Sequence, residues 1–158
     1  MAGPSLAEPG AAGLAELVRA TLKARGRLRW PLRGTSMAPT LPADCEVEVA
    51  PLIGRPRLGA LVVFCAEDVL VAHRLVQRRA GRWITQGDGS PAPDPPLAPE
   101  QVLGVVTAAY RDGACCWPRR AERWRAWLWV GRSHLLRVGR LWRRLWIAAT
   151  RRRFGVRH

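Results

Sequence analysis

The alternation of hydrophobic and polar residues predicts a mainly β domain that is preceded by one helix. From Ala11 to about Ala24, hydrophobic residues recur at intervals of three and four, which predicts an amphipathic helix that ends at Gly26. We expect its hydrophobic face to pack on the domain, with a membrane-surface helix as the alternative. Short hydrophobic or alternating runs then follow at a spacing typical of an all-β domain. They predict strands over 27–33, 46–49, 58–64, 69–76, 83–85 and 102–106.

Two changes in composition divide the chain into three segments. Residues 1–26 hold a loose arm and the predicted helix, and residues 27–112 hold the predicted strands. Within the second segment, residues 87–99 contain five prolines and two glycines, which predicts a long loop of the kind that carries function. Residues 113–158 form a third segment, a basic tail that is rich in tryptophan and arginine.

The basic tail carries most of the net charge of +14, because thirteen arginines and one acidic residue fall within residues 119–158. Its hydrophobic residues between 124 and 145 recur at steps of four and three, which predicts a helical extension. Arginine beside tryptophan on such a helix is typical of an element that lies on an anionic membrane surface. A helical hairpin packed on the domain is the alternative. Nucleic-acid binding by residues 119–153 is less favoured, because no recognition motif is present.

Metal binding and membrane spanning are disfavoured by what the sequence lacks. The four cysteines have no metal-ligand spacing, so we expect free thiols in a reducing compartment and neither a metal nor an organic cofactor. No run of 18 or more apolar residues predicts a spanning helix, and the first residues lack the pattern of a secretory signal. We therefore expect a cytoplasmic protein, or one that is attached peripherally to a membrane.

The candidate chemistry centres on Ser36, in the run Gly-Thr-Ser-Met-Ala-Pro-Thr-Leu at 34–41. A serine hydroxyl is a weak nucleophile until a neighbouring base accepts its proton. His73 is the only histidine outside the basic tail, and it lies in the predicted strand 69–76. Lys23, the only lysine, precedes the serine on the predicted helix, so histidine is the available base. An ordinary turn serine and a buried core histidine are the structural alternatives.

Two carboxylates are candidates to support that base. A histidine base works better when a carboxylate fixes its tautomer and stabilises its charged form. Asp88 and Asp94 both fall in the proline-rich loop, so either is a candidate for this role. Aspartate beside glycine and proline is also common in ordinary turns. For the oxyanion of an acyl-transfer reaction, the backbone N–H of Ser36 is the natural first donor.

Three separated runs, in this order, resemble the type I signal peptidases. They are Ser-Met-Ala-Pro-Thr-Leu at 36–41, Val-Ala-His-Arg-Leu-Val at 71–76 and Thr-Gln-Gly-Asp at 85–88. The resemblance covers roughly residues 28–107 and is to the Ser–His branch of the endoplasmic-reticulum and archaeal type. It implies a signal-peptidase/LexA-like β domain. It also implies a serine endopeptidase that cleaves a leader or signal segment from an extended precursor protein, next to small residues.

The family resemblance also suggests which carboxylate has which role. A Gly-Asp-Asn-Asn-x-x-Asp-Asp segment supplies the acids in the Ser–His branch. Counted from Gly87, the catalytic acid falls on Asp94, and Asp88 matches the first aspartate, which supports the site. This chain departs from the pattern, because glycine and serine replace the two asparagines at 89–90 and proline replaces an aspartate at 93. Asp88 therefore stays an alternative for the catalytic acid.

This chain departs from the signal-peptidase pattern at one further position, and two other functions are alternatives to a peptidase. Many members of the family carry a Ser or Thr hydroxyl two residues before the nucleophile, where this chain has Gly34. A LexA-like self-cleaving regulator would use a lysine base and an N-terminal DNA-binding domain, for which the 33 residues before the motif are too few. A non-enzymatic module that binds lipid or nucleic acid through the basic tail is the second rival.

Overall fold

The computed structural model describes residues 10–118, which form one helix and one antiparallel sheet of seven strands. Helix α1 spans Ala11–Arg25, and a 3₁₀ helix spans Pro99–Gln101. The mainly β class that the sequence predicts is confirmed. The strands are β1 (Leu28–Pro31), β2 (Glu46–Pro51), β3 (Leu61–Ala66), β4 (Val69–Arg79), β5 (Arg82–Gln86), β6 (Val102–Arg111) and β7 (Ala114–Trp117).

Strand β6 connects the two halves of the sheet. The strands follow the order β1-β2-β6-β3-β4-β5, and β7 also pairs with β6. β2 runs along one side of β6, whereas β3 pairs with its first half and β7 with its last residues. β4 lies between β3 and β5, where His73 is opposite Val62 and Arg74 is opposite Gln86. Both residues therefore lie inside the sheet and not on an edge strand.

Helix α1 covers part of one face of this sheet. Its buried residues Leu14, Val18 and Leu22 are four positions apart, so they share one side of the helix, and they join the core cluster that contains Val47 of β2. Burial of each such side chain contributes roughly 1.5–3 kcal/mol. The helix ends at Gly26, whose φ of 70° lets its N–H donate to the carbonyl of Leu22. The prediction that the helix packs on the domain is confirmed.

Two-residue turns join the neighbouring strands of the sheet. Glu67 and Asp68 join β3 to β4, and Asp112 and Gly113 join β6 to β7. All four residues have positive φ, which is the conformation of the tight hairpin turn that matches the twist of the strands. The Asp-Gly pair therefore returns the chain along β6 and produces β7.

Strand β7 corrects the predicted boundary of the basic tail. The composition predicts that this tail begins at residue 113. In the structure, however, Ala114–Trp117 form a strand, and its Cys116 and Trp117 pack against the core. Two other strands are longer than predicted, since β4 continues to Arg79 and β6 to Arg111. Cross-strand pairing maintains them after the hydrophobic pattern has ended. In contrast, β3 begins only at Leu61, because residues 58–60 form a turn.

The N-terminal arm and most of the basic tail lie outside the described residues. These are residues 1–9 and 119–158, so the predicted helical extension and its hydrophobic positions belong to that part. Within residues 10–118, no helix is long and apolar enough to cross a membrane.

Candidate active site

Ser36 lies in the loop between β1 and β2, and core residues hold this loop in place. Its neighbour Met37 and the nearby Leu41 are 2% and 1% exposed and belong to the main core cluster. The N–H of Ala38 donates to the carbonyl of Thr35 at 2.9 Å, which closes a turn around the serine. Ser36 itself is exposed. Its hydroxyl is therefore presented to solvent by a loop whose backbone is anchored.

His73 of β4 connects this serine to a carboxylate. Its Nε2 lies 3.0 Å from Oγ of Ser36, and its Nδ1 lies 2.7 Å from Oδ2 of Asp94. A carboxylate that accepts a hydrogen bond from Nδ1–H leaves Nε2 without a proton in the neutral ring, so Nε2 is free to accept the serine proton. The edge of the ring packs against Phe64, with ring centroids 6.1 Å apart. The structure thus brings together the predicted Ser36, His73 and Asp94.

Thr85 of β5 fixes the carboxylate of Asp94. Its hydroxyl donates to Oδ2 of Asp94 at 2.6 Å, and its carbonyl accepts the N–H of Asp94 at 2.8 Å. Burial alone would raise the pKa of Asp94, but the hydrogen bonds from His73 and Thr85 and the charge of His73 outweigh it. The pKa of Asp94 is therefore lowered from its ordinary value. Asp94 is a carboxylate at neutral pH, as an acceptor for imidazole N–H requires.

Asp88 has a different partner, although it belongs to the same loop. Its two oxygens accept from Nε and Nη2 of Arg74 at 2.8 and 2.6 Å, and both side chains are 1% exposed. Nη1 of Arg74 donates to the carbonyl of Gly59 at 2.7 Å, and the hydroxyl of Thr40 donates to Asp88. Asp88 therefore forms a buried ion pair that reaches the Ser36 loop through Thr40. Its side-chain hydrogen bonds go to Arg74 and Thr40, whereas those of Asp94 go to His73 and Thr85.

The turn at residues 87–90 packs directly against the backbone of Ser36. The N–H of Gly89 donates to the carbonyl of Ser36 at 2.8 Å. A β-carbon on Gly87 would lie 2.6 Å from the same carbonyl oxygen and 3.1 Å from Nε2 of His73. One on Gly89 would lie 3.1 Å from two other carbonyl oxygens of the Ser36 loop. A side chain at Gly87 would therefore clash with these atoms, and one at Gly89 would fit only if the Ser36 loop moved slightly.

The backbone N–H of Ser36 is an unused hydrogen-bond donor at this site. It makes no hydrogen bond with any other residue of the range 10–118, so it is available to an acceptor such as an oxyanion. Position 34, where many signal peptidases have a hydroxyl, is a glycine with φ of 87° beside open space. The gap that the sequence indicates is therefore present in the structure.

Three side chains that support the site received no role in the sequence analysis: Thr40, Arg74 and Thr85. Arg74 had a usable signal, because an arginine inside a hydrophobic strand must be paired when it is buried. Thr40 and Thr85 fall within the runs 36–41 and 85–88 that carry the resemblance, but no local pattern indicated their partners, which lie 48 and 9 positions away.

Ser36 lies at the protein surface, whereas His73 beside it is buried. Two cavities of about 590 Å³ each lie elsewhere, near Leu52, Pro99 and Glu100, and neither is lined by the residues around Ser36. In the part of the chain that the structure describes, no cluster of three potential metal ligands occurs.

No model of a known protein family matches this chain, and the curated proteins give no significant match. The resemblance to signal peptidases therefore remains a prediction from the three sequence runs.

Proposed function

We propose that the chain is a serine endopeptidase with a signal-peptidase/LexA-like β domain, which cleaves a leader or signal segment from a precursor protein. One observation carries this proposal. Ser36 Oγ, both ring nitrogens of His73 and Oδ2 of Asp94 form a continuous line of hydrogen bonds, with distances of 3.0 and 2.7 Å. An exposed serine at one end and a carboxylate with a lowered pKa at the other are what nucleophilic catalysis by serine needs.

In the first half of the reaction, Oγ of Ser36 adds to the carbonyl carbon of the scissile peptide bond while its proton passes to Nε2 of His73. The carboxylate of Asp94 stabilises the resulting imidazolium, and the N–H of Ser36 donates to the oxyanion. Collapse of the tetrahedral intermediate breaks the C–N bond, and the proton on Nε2 goes to the leaving amine. The product is an ester between the substrate acyl group and Ser36, which water then hydrolyses.

The exposure of Ser36 leaves room for an extended polypeptide as the substrate. Such a chain can bind by strand-like pairing along exposed backbone. The preference for small residues before the cleaved bond rests on the family resemblance alone.

The direct test is labelling of the full chain with a fluorophosphonate probe, followed by cleavage of candidate precursors with small residues before the cleaved bond. We expect one probe adduct on Ser36 in the wild type and none in Ser36→Ala. His73→Ala should reduce the labelling rate by at least about 10³-fold, because the hydroxyl loses its base.

Thr107→Val is the matched control, because Thr107 is an exposed residue whose hydroxyl contacts Glu48, away from the site. Labelling of this variant should equal that of the wild type. An adduct that persists in Ser36→Ala, or precursor cleavage that persists in a folded His73→Ala variant, would refute the proposal.

The placement of Lys23 argues against a self-cleaving regulator with a lysine base. Lys23 lies in the last turn of α1 and lines a cavity with Pro51 and Glu100, whereas His73 is the group beside Ser36. A purely non-enzymatic binding module would leave the fluorophosphonate unreacted, so the same labelling experiment distinguishes it.

We further propose that the basic segment 119–153 holds the enzyme at an anionic membrane surface. The support is its sequence, since arginine beside tryptophan suits the lipid headgroup region. Sedimentation of the full chain with vesicles should show retention on phosphatidylglycerol that weakens with salt, and little retention on phosphatidylcholine. Equal retention on both lipids would contradict this part of the proposal.

A further inference from the structure

Ser90 supplies a second hydroxyl next to the catalytic base. Its Oγ lies 2.5 Å from the point where a β-carbon on Gly87 would be, and Nε2 of His73 lies 3.1 Å from the same point. The carbonyl oxygen of Ser36 lies 2.6 Å from that point. Oγ of Ser90 and Nε2 of His73 are therefore at most about 5.6 Å apart, the sum of their distances from this point, and a single water molecule between them can bridge such a gap. All three polar atoms lie around Gly87. Two of them belong to the nucleophile residue and to its base.

The backbone holds Ser90 rigidly in this position. Its N–H donates to the carbonyl of Gly87 at 2.9 Å, and its own carbonyl accepts from Nε2 of Gln86 at 2.9 Å. The turn that carries it is bonded to Ser36 through the N–H of Gly89. Within residues 10–118, no other group makes a hydrogen bond to the Ser90 hydroxyl, and Ser90 is partly exposed. The backbone of Ser90 is therefore held in place, and its hydroxyl remains free to bind a reactant.

The second half of the proposed reaction requires a water molecule in this region. The water oxygen adds to the carbonyl carbon of the Ser36 ester, and one water proton passes to Nε2 of His73. Nε2 then returns the proton to Oγ of Ser36 as the C–O bond breaks, which releases the carboxylic acid and the free serine. A water bound to Nε2 alone can rotate about that single hydrogen bond, whereas a second anchor fixes its direction of attack.

We propose that Ser90 is a positioning residue for this step, and that its hydroxyl holds the hydrolytic water beside Nε2 of His73. The inference rests on the proposed function and assigns to Ser90 the hydrolysis of the Ser36 ester and not its formation. Attack by Ser36 needs only Nε2, so the first half of the reaction does not involve Ser90.

The test separates the two halves of the reaction with p-nitrophenyl acetate and the full chain. Nitrophenolate is a good leaving group, so a burst reports formation of the acetyl ester and the following steady state reports its hydrolysis. For Ser90→Ala we expect the burst rate to stay within about twofold of wild type. The steady-state rate should fall about 3- to 10-fold, the effect of one lost hydrogen bond. The acetylated chain should accumulate correspondingly in intact mass spectra.

Ser90→Thr is the matched variant, because it keeps the hydroxyl and should keep both rates within about twofold of wild type. Thermal unfolding confirms that each variant is folded before the rates are compared. Equal slowing of burst and steady state in Ser90→Ala would indicate a structural role and overturn the inference, as would unchanged rates in both phases. A wild-type burst that survives in Ser36→Ala would instead overturn the proposed function, and with it this inference.

Discussion

Two neighbouring side-chain pairs, His73–Asp94 and Arg74–Asp88, differ in their burial and in the groups that they contact. His73 and Arg74 are consecutive residues of β4, and each pairs with an aspartate from the loop that follows β5. In the His73–Asp94 pair the side chains are 10% and 20% exposed, and the second ring nitrogen of the histidine contacts the hydroxyl of the exposed Ser36. In the Arg74–Asp88 pair both side chains are 1% exposed, and Arg74 also donates to the carbonyl of the buried Gly59.

This difference shows how one strand can supply both reactivity and stability. Successive residues of a strand point to opposite faces of the sheet, so the side chains of His73 and Arg74 lie on different faces. The imidazole of His73 gains or loses a proton in the proposed reaction, so it needs access to the substrate. The guanidinium of Arg74 stays charged, and its bidentate contact fixes the position of the loop. We therefore expect substitutions of the His73 pair to change rates and those of the Arg74 pair to change stability.

The largest expected effect is that of Asp94→Asn on the rate. The amide no longer fixes the tautomer of His73 or stabilises the imidazolium, so labelling of Ser36 by the fluorophosphonate should fall by about 10³- to 10⁴-fold. The free energy of unfolding at pH 7 should change by less than about 2 kcal/mol, because the amide still fits the position. The rate of probe labelling and urea unfolding measure the two quantities. A labelling rate within tenfold of wild type would remove Asp94 from the proposed mechanism.

The next effect is the loss of stability in Arg74→Met. This variant leaves the Asp88 carboxylate buried and unpaired, so the free energy of unfolding should fall by about 3–5 kcal/mol. Adding Asp88→Leu should restore much of the loss, because the uncompensated charge is then removed as well. Urea unfolding of the two variants and the wild type gives the comparison. If the double variant is as unstable as Arg74→Met, the unpaired carboxylate is not the cause.

The third prediction concerns the effect of pH on the stability that Asp94 contributes. The pKa of Asp94 in the folded chain is lowered, so the carboxylate stabilises the fold above its unfolded pKa. This contribution is lost as the pH falls from roughly 5 through the unfolded value near 4 and on through the lower folded pKa. The melting temperature of wild type should therefore fall more steeply over this range than that of Asp94→Asn. Parallel melting curves for the two proteins would contradict the predicted linkage.

The smallest effects should come from the two threonines that support the aspartates. Thr85→Val removes one hydrogen bond to Asp94 and should slow probe labelling about 3- to 10-fold. Thr40→Val removes the corresponding bond to Asp88, so its main effect should be a loss of about 1–2 kcal/mol in the free energy of unfolding. Measuring both quantities on both variants tests whether the two pairs act separately. Equal profiles for the two variants would show that they do not.

Much of the fold followed from local patterns, and the failures have local causes. The spacing of Leu14, Val18 and Leu22 predicted α1, because a helix that packs on a sheet buries one side. Strand β7 was missed because the sequence of the basic tail outweighed the hairpin signal of Asp112 and Gly113.

In the candidate site too, some features were predicted from the sequence and others were not. Ser36, His73 and Asp94 were identified by their residue types and by the resemblance, and the structure places His73 within hydrogen-bonding distance of both Ser36 and Asp94. The partners of Asp88 and the proximity of Ser90 to His73 depend on how the loop at 87–90 folds onto the Ser36 loop. Such contacts between distant parts of the chain have no periodic signal, so pattern analysis alone does not find them.

Gly34 limits the evolutionary routes that are open to this site. Its φ of 87° lies in the left-handed region, where a residue with a β-carbon is strained by roughly 1–3 kcal/mol even though the surrounding space is open. The single substitution Gly34→Ser would therefore add the hydroxyl that many signal peptidases carry, at the expense of the backbone turn that presents Ser36. A lineage that acquires the hydroxyl must first change the backbone of this turn, so the order of the two changes is constrained.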